Sequence, residues 1–189
     1  MLIIGITGTL GAGKGTIVDL LIRKWNFKHL SVRGYLLKEI EKKGLPPNRD
    51  SMVSVANKLR ADHSPSFIID ELYREAAKTG ENCIIESIRT PGEVISLREK
   101  ENFYLFAVDA KPELRYHRIT FRNSETDNID FQTFLDNEKR EMDSSDPNNQ
   151  NIRRCMQMAD YFFENNGTVS ELEERVEKVV TTLKNPLGD

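Results

Sequence analysis

The sequence has few cysteines and no long apolar run. Its two cysteines, Cys83 and Cys155, are far apart and have no Cys or His neighbour at a metal-ligand spacing, which predicts free thiols rather than a zinc site or a redox pair. The longest apolar stretches, residues 1–6 and 103–108, are far shorter than the roughly 20 residues that span a bilayer. No basic segment precedes the first stretch, which argues against a secretory signal. We therefore expect a cytoplasmic protein that does not enter a membrane.

An excess of positive charge is also absent. The 27 Lys and Arg residues against 30 Asp and Glu residues give a net charge of -3, which argues against broad binding to a nucleic-acid backbone. A content of 38% hydrophobic and 30% charged residues is typical of a globular chain, and 189 residues favour one domain. We expect a single domain over residues 1–189 whose partner is a small molecule. The sequence does not identify protein partners.

Short apolar runs alternate with helical stretches along the chain. Continuous apolar runs predict buried parallel strands at residues 2–6, 83–85 and 103–108, and a last strand is predicted at 159–163. Helices are predicted at residues 16–25, 35–43, 52–61, 65–78, 112–122 and 131–142 and from Thr168 onwards. Thr168 and Glu171 have the spacing of a capping box at the start of the last helix. This alternation predicts an α/β protein with a mostly parallel sheet.

The strongest chemical signal is the segment Gly-Thr-Leu-Gly-Ala-Gly-Lys-Gly-Thr at residues 8–16, between the first strand and the first helix. Glycines let backbone N–H groups close around phosphate oxygens, and the helix N-terminus adds positive potential. Lys14 can reach the terminal phosphates of ATP, and Thr16 offers a hydroxyl near them. A strict P-loop has Ser or Thr directly after the lysine, where this chain has Gly15. A glycine-rich turn without a ligand is the alternative. The predicted ATP-binding residues are Gly8, Gly11, Ala12, Gly13, Lys14, Gly15 and Thr16.

This form of the loop resembles that of adenylate kinase and its nucleoside monophosphate kinase relatives. Residues 159–168 are similar to the closing segment of dephospho-CoA kinases and of archaeal kinases related to both groups, so the resemblance spans nearly the whole chain. It implies a P-loop kinase fold of three α/β/α layers, with a five-stranded mostly parallel sheet and a short helical lid. It also implies an acceptor-binding helical region at about residues 31–80 and a lid region at about 112–145.

Residues 84–90 resemble the family segment in which a strand ends in Asp, then Gly, then an arginine that holds the acceptor phosphate. Glu86 takes the place of the acid and Arg89 that of the arginine, while Lys38 stands where the family carries a second acceptor-phosphate arginine. A carboxylate at the end of a strand beside a P-loop can hold Mg²⁺ or its waters, which makes Thr16 and Glu86 the candidate metal ligands. A capping role for Glu86 and a surface position for Arg89 are the alternatives.

Three arginines, Arg115, Arg118 and Arg122, follow the strand at residues 103–108 at spacings that place them on one helical face. A solvated basic face is one interpretation. In adenylate kinase relatives, arginines in this region close over ATP and stabilise charge on the transferring phosphoryl group, and residues 123–130 resemble a short version of that cover. On this resemblance Lys14, Arg118 and Arg122 are the catalytic candidates.

Two further charged residues have a binding and a structural interpretation. Arg60 is another candidate for the acceptor-phosphate pocket, but the favoured interpretation is a helix arginine exposed to solvent. Asp109 ends a predicted strand and could contact Mg²⁺, but Lys111 and Arg115 are nearby salt-bridge partners, which favours a structural role.

These features predict a kinase that uses ATP and Mg²⁺ to phosphorylate a nucleoside or deoxynucleoside monophosphate. An acceptor that is already a phosphate is nucleophilic at pH 7, which fits the absence of an obvious acid-base residue. A dephospho-CoA kinase is the first alternative, although residues 30–33 contain no carboxylate to take the proton of a hydroxyl acceptor. The second alternative is a regulator that binds a nucleotide with little turnover.

Overall fold

The computed structural model describes residues 1–122 and 129–185, and within these ranges the chain forms five strands and nine helices. The strands are β1 (Ile3–Gly8), β2 (Lys28–Ser31), β3 (Cys83–Glu86), β4 (Phe103–Asp109) and β5 (Tyr161–Glu164). The helices are α1 (Lys14–Trp25), α2 (Val32–Lys42), α3 (Arg49–Asp62), α4 (Phe67–Thr79), α5 (Pro91–Arg98), α6 (Pro112–Arg122), α7 (Phe131–Met142), α8 (Ile152–Gln157) and α9 (Val169–Lys184). Every strand and helix predicted with bounds is present, whereas sequence patterns did not delimit β2, α5 or α8. Residues 123–128 of the expected lid lie outside the described residues.

The described strands form one sheet in the order β2-β3-β1-β4-β5, and each neighbouring pair is parallel. The central strand β1 pairs with β3 through Ile4 and Ile84 and with β4 through Ile6 and Phe106. Because β1 and the strands beside it are covered on both faces, their side chains are apolar in nearly every position. The prediction of a five-stranded, mostly parallel sheet is confirmed.

Successive side chains of the strands point to opposite faces of the sheet and so build two separate cores. Ile3, Ile85 and Leu105 pack on the face covered by α2, α3, α4 and α5. Ile4, Ile84 and Phe106 pack on the other face against α1 and α9. The arrangement is therefore the three-layer α/β/α sandwich that the resemblance to adenylate kinase relatives implied.

This layering opens a crevice at the carboxyl ends of β1 and β3. The helix after β1, α1, covers one face of the sheet, whereas the helix after β3, α5, covers the other. When the connections of two neighbouring parallel strands go to opposite faces of the sheet, a gap forms between their loops. Ligands of open α/β sheets bind in this gap. The segment at residues 8–16 and the segment at residues 86–89 border that gap.

Side-chain caps fix the ends of the helices around this crevice. Thr90 accepts a hydrogen bond from the backbone N–H of Glu93, whose carboxylate accepts the N–H of Thr90 in return, which is a full capping box at α5. The predicted capping box of Thr168 and Glu171 at α9 is confirmed. Both cysteines are buried free thiols, as expected. Over residues 1–122 and 129–185, no helix combines the length and apolar character that crossing a bilayer requires.

Candidate active site

The P-loop wraps tightly because three of its glycines adopt backbone conformations that other residues avoid. Gly8, Gly11 and Gly13 have φ values of 139°, 78° and 113°. A Cβ at Gly13 would also clash with Asn165 Nδ2. Gly15 has open space around the position of its missing Cβ. The backbone shape of the loop therefore requires glycine at positions 8, 11 and 13. Neither the backbone conformation nor crowding requires glycine at position 15.

Lys14 lies within the loop, folded toward its backbone. Its Nζ donates to the carbonyl oxygens of Gly8 at 2.9 Å and Thr9 at 2.7 Å. Burial of the ammonium, together with the positive charges of Arg89 and Arg122, lowers the pKa of Lys14 to about 8, against opposing contributions from nearby carboxylates. A lysine with this pKa is partly neutral near pH 8 and gains charge stabilisation when phosphate oxygens approach it.

A single cavity of about 760 Å³ joins the P-loop to the loop after β3 and to parts of α2, α3 and α6. Among the described residues, seven cationic and three acidic side chains line it. The cationic ones are Lys14, Arg33, Arg49, Arg60, Arg89, Arg118 and Arg122, and the acidic ones are Asp19, Glu86 and Glu141. This excess of positive charge favours an anionic ligand.

The wall contributed by α2 and α3 is largely apolar. It is formed by Val32, Leu36, Met52, Val53 and Ala56. The expected acceptor region at residues 31–80 therefore contributes through α2 and α3, and none of the cavity-lining residues belongs to α4. A ligand here meets phosphate-binding groups on one part of its surface and aliphatic side chains on another.

The residues predicted to hold magnesium lie in this cavity. Thr16 and Glu86 both line it beside Lys14. Burial opposes ionisation of Glu86, but a hydrogen bond with His29 at 3.2 Å and the charges of Lys14 and Arg89 outweigh burial and lower the pKa of the Glu86 carboxyl. A hydroxyl and an ionised carboxylate are oxygen ligands that suit Mg²⁺, which takes few protein ligands when phosphates and waters supply the rest. No cluster of three or more His, Cys, Asp or Glu that could hold a metal occurs in the part of the chain that the structure describes.

The residue between Glu86 and Arg89 carries backbone strain. Ser87 has φ 72°, in the left-handed region, at the position where the resembling kinases carry glycine. Its backbone N–H and that of Ile88 both donate to the carbonyl of Ile6, at 3.0 and 3.1 Å. These two bonds hold the turn after β3 against the P-loop strand and set the direction in which Arg89 leaves the sheet.

Arg89 shares a carboxylate partner with a second arginine, Arg49, which was not identified from the sequence. The carboxylate of Glu141, on α7, accepts from Arg89 Nη1 at 2.6 Å and from Arg49 Nη2 at 2.5 Å. Gln150 Oε1 accepts from the same Arg89 Nη1 at 2.7 Å. Two guanidinium groups thus meet at one side of the cavity. Arg89 lines the cavity, and its side chain is half-buried, with 24% exposed, rather than fully solvated.

Of the three arginines on α6, only Arg118 and Arg122 line the cavity. Arg115 is 2% exposed and instead binds Glu138, Asp109 and the carbonyl of Leu10, which fastens α6 to the P-loop. The interpretation of all three as a solvated basic face is therefore wrong. The expected salt bridge between Asp109 and Arg115 is confirmed at 3.4 Å.

Arg118 is held next to the P-loop by Asn165, a residue that sequence reasoning also missed. Arg118 Nη2 donates to the backbone carbonyl of Asn165 at 3.0 Å, and Asn165 Nδ2 donates to the carbonyl of Ala12 at 2.8 Å. Within the described ranges, Arg118 Nη1 and Asn165 Oδ1 are buried and have no hydrogen-bond partner. Both residues line the cavity, so these polar atoms are suited to meet a ligand.

Two sequence-based assignments do not match the geometry. Lys38 is exposed and is not among the residues that line the cavity, whereas Arg33, nearer the start of α2, is. The favoured surface position of Arg60 is wrong, because its side chain is 1% exposed and its guanidinium binds the buried Glu93, and Arg60 instead borders the cavity. Arg33 and Lys38 are five residues apart and therefore lie on different faces of α2, and only the packing of α2 decides which face borders the cavity.

Four residues that line the cavity were not identified as site residues from the sequence, namely Arg49, Glu141, Gln150 and Asn165. They come from segments that are separate in sequence and meet only in the folded chain. Asn165 did carry a local signal, the Asn-Asn-Gly turn after the last strand, but that signal predicts a turn rather than a contact with the P-loop.

Comparison of the sequence with known proteins identifies its relatives. A family model described as an AAA domain matches residues 4–146. A UPF0200 protein of Methanococcus maripaludis strain C6 is 30% identical over 190 residues, which cover 97% of this chain and 100% of that protein. A UPF0200 protein of Pyrococcus horikoshii is 28% identical over 188 residues, covering 96% and 97%.

Solved structures with the same architecture include named kinases. TT1252 from Thermus thermophilus is 21% identical with a TM-score of 0.62, covering 96% of this chain and 97% of that one. Gluconokinase from Sinorhizobium meliloti is 10% identical with a TM-score of 0.59, covering 99% and 98%. Shikimate kinase from Aquifex aeolicus is 13% identical with a TM-score of 0.53, covering 100% of each. At these identities the likeness establishes the fold. The chain belongs to the UPF0200 family, and its AAA domain has the fold of P-loop kinases.

Proposed function

We propose that this chain is a kinase that transfers the γ-phosphoryl group of Mg²⁺-bound ATP to a nucleoside or deoxynucleoside monophosphate. The observation that carries the proposal is the shared cavity, in which the P-loop, an arginine pair and an aliphatic wall meet. The proposal treats the chain as one kinase domain in the cytoplasm, with α2 and α3 on the acceptor side and α6 and α7 in the lid region.

The donor side is assigned to the P-loop. Backbone N–H groups of residues 8–16 would surround the phosphates, and Lys14 would exchange its bonds to loop carbonyls for bonds to phosphate oxygens. Thr16 and Glu86 would hold Mg²⁺, which neutralises phosphate charge when bound. Arg118 and Arg122 would stabilise the charge on the transferring phosphoryl oxygens, because phosphoryl transfer depends on positioning and charge neutralisation.

The acceptor side is assigned to Arg89 and Arg49 for the phosphate and to α2 and α3 for the remainder. Planar guanidinium groups suit bidentate recognition of a phosphate. The aliphatic side chains of Leu36, Met52 and Val53 suit the flat, weakly polar face of a nucleobase better than a polyhydroxylated sugar, whose hydroxyls would lose hydrogen bonds there. This contrast favours a nucleotide over the sugar acceptors of kinases with the same fold.

A kinase for a hydroxyl acceptor, such as dephospho-CoA, is the second candidate. It requires a group that takes the hydroxyl proton. The end of β2 lacks a carboxylate, but Asp19, exposed on α1, lines the same cavity. An Asp19→Asn variant separates the two candidates, because it would remove turnover of a hydroxyl acceptor and leave turnover of a phosphate acceptor within about threefold of wild type.

The test is ADP formation from Mg²⁺-bound ATP with a panel of ribonucleoside and deoxyribonucleoside monophosphates and dephospho-CoA, beside a reaction without acceptor. Acceptor-dependent turnover that disappears in Lys14→Ala would support the kinase. ATP binding without stimulation by any acceptor would favour the regulator and reject the kinase proposal.

Arginine variants assign the two sides of the site. Arg89→Ala should raise the acceptor KM while the KM for ATP stays within about twofold. Arg118→Ala combined with Arg122→Ala should lower kcat by about 100-fold or more. Arg74→Ala is the matched control, because Arg74 lies exposed on α4 and pairs only with Glu71 among the described residues.

A further inference from the structure

Glu141 stands out because it is a buried carboxylate that binds two arginines of the cavity. It lies in the last turn of α7, with a side-chain exposure of 9%. Arg49 comes from the start of α3 and Arg89 from the loop after β3, so Glu141 joins three segments that are distant in sequence. Burial opposes its charge, but the two guanidinium groups outweigh burial and lower the pKa of Glu141 below its usual value. The carboxylate is therefore ionised at neutral pH.

The hydrogen bonds to Glu141 leave part of each guanidinium unused. Both side-chain bonds of Arg89 that the structure gives use Nη1, with Glu141 and Gln150 as the acceptors. Arg49 uses Nη2, and its Nε is buried without a hydrogen-bond partner in the described residues. Gln150 is 7% exposed, so the Arg89 side chain is held by two buried acceptors. A guanidinium fixed by one nitrogen presents its other N–H groups in a defined direction.

The charge count of this cluster favours an added anion. Two guanidinium groups and one carboxylate leave a net charge of about +1 in a largely buried volume. The phosphate of a nucleoside monophosphate carries close to two negative charges at neutral pH, similar to a phosphorylated side chain. It would therefore find donors that are oriented already and positive charge that is only half compensated.

We propose that Glu141 is a positioning residue for the acceptor phosphate, which with Gln150 orients Arg89 and Arg49 so that their remaining N–H groups bind it. The inference rests on the proposed function and adds a role for α7. Because Glu141 belongs to α7, the acceptor-phosphate site is complete only while α7 is docked against α3 and the β3 loop. A competing role, in which Glu141 occupies the phosphate site and must leave, predicts the opposite effect of removing its charge.

The experiment compares wild type with Glu141→Gln and Gln150→Ala. Asp136→Asn is the control, because it removes a carboxylate charge from an exposed position on the same helix. For Glu141→Gln we expect the acceptor KM to rise about 10- to 100-fold, by analogy with the effect of replacing residues that orient metal ligands. The KM for ATP should stay within about twofold and kcat within about fivefold. Gln150→Ala should shift the acceptor KM in the same direction by a smaller factor, and Asp136→Asn should not shift it.

Binding of AMP and of inorganic phosphate, measured by calorimetry without ATP, separates failure of this inference from failure of the proposed function. Weaker binding to Glu141→Gln than to wild type supports the positioning role even if no acceptor in the panel is turned over. An acceptor KM or a Kd that is unchanged or lower in Glu141→Gln overturns it, and so does a wild type that binds neither ligand. If Glu141→Gln raised the KM for ATP and the KM for the acceptor by the same factor, Glu141 would have only a general structural role, which overturns the inference.

Discussion

Replacing Arg60 by methionine should destabilise the fold by about 3 to 5 kcal/mol, the usual cost of removing one partner of a buried ion pair. Arg60 on α3 is 1% exposed and Glu93 on α5 is fully buried. Arg60 Nε and Nη2 both donate to Glu93 Oε1, at 3.1 and 2.8 Å. Methionine fills much of the same space but leaves the buried Glu93 carboxylate without its cationic partner. The backbone N–H groups of Arg89 and Thr90, at 2.7 and 3.1 Å from Oε2, compensate only part of that charge.

Urea denaturation followed by circular dichroism can measure this loss in the free energy of unfolding. In thermal denaturation, each kcal/mol corresponds to about 2 to 4 °C in Tm for a chain of this length, so Tm should fall by about 6 to 20 °C. Glu93→Gln should be destabilising as well, and the double variant should cost less than the sum of the single variants, because neither charge is then left alone. Arg74→Met is the control: its ion pair with Glu71 is exposed and should contribute less than about 1 kcal/mol.

A loss below about 1 kcal/mol for Arg60→Met, equal to that of the control, would refute this reasoning. It would mean that the buried pair contributes no more than an exposed one. A double variant whose loss equals the sum of the single losses would likewise show that the two groups do not interact.

Three further predictions concern the P-loop. Gly13→Ala should lower the free energy of unfolding in urea by at least about 2 kcal/mol, because φ is 113° and the new Cβ would meet Asn165. Gly15→Ala should be neutral or stabilise the helix by up to about 1 kcal/mol. Equal effects of the two variants would contradict this reasoning. Asn165→Leu should lose about 1 to 3 kcal/mol, since the carbonyl of Ala12 would lose its buried donor, and unchanged unfolding would argue against that bond. ATP affinity measured by calorimetry should be highest below pH 8 and fall by up to about tenfold per unit above it, because phosphate binds the charged form of Lys14, whose pKa is about 8; a flat profile from pH 7 to 9.5 would contradict this.

Local patterns in the sequence predicted most of the fold. The strands β1, β3 and β4 are continuous apolar runs because they are covered on both faces, and such runs can be recognised without the structure. The P-loop could be recognised from the sequence equally well, because its glycines meet local backbone requirements within nine residues. β2 was harder to delimit, since this edge strand is partly exposed and its sequence Lys-His-Leu-Ser lacks an apolar run.

Contacts between segments that are distant in sequence determine which charged residues surround the cavity. Arg60 and Glu93 are 33 residues apart, and Arg49 and Glu141 are 92 apart. A charged side chain has the same sequence signature whether it pairs inside the protein or faces water, so Arg60 was wrongly expected on the surface. Position on a helix face also depends on packing, which placed Arg33 rather than Lys38 beside the ligand cavity. The sequence by itself thus determined the parallel sheet and the P-loop, because these follow from local periodicity and backbone geometry. Only the tertiary structure decided which charges are buried and which arginines meet, because ion pairing depends on distance in space rather than along the chain.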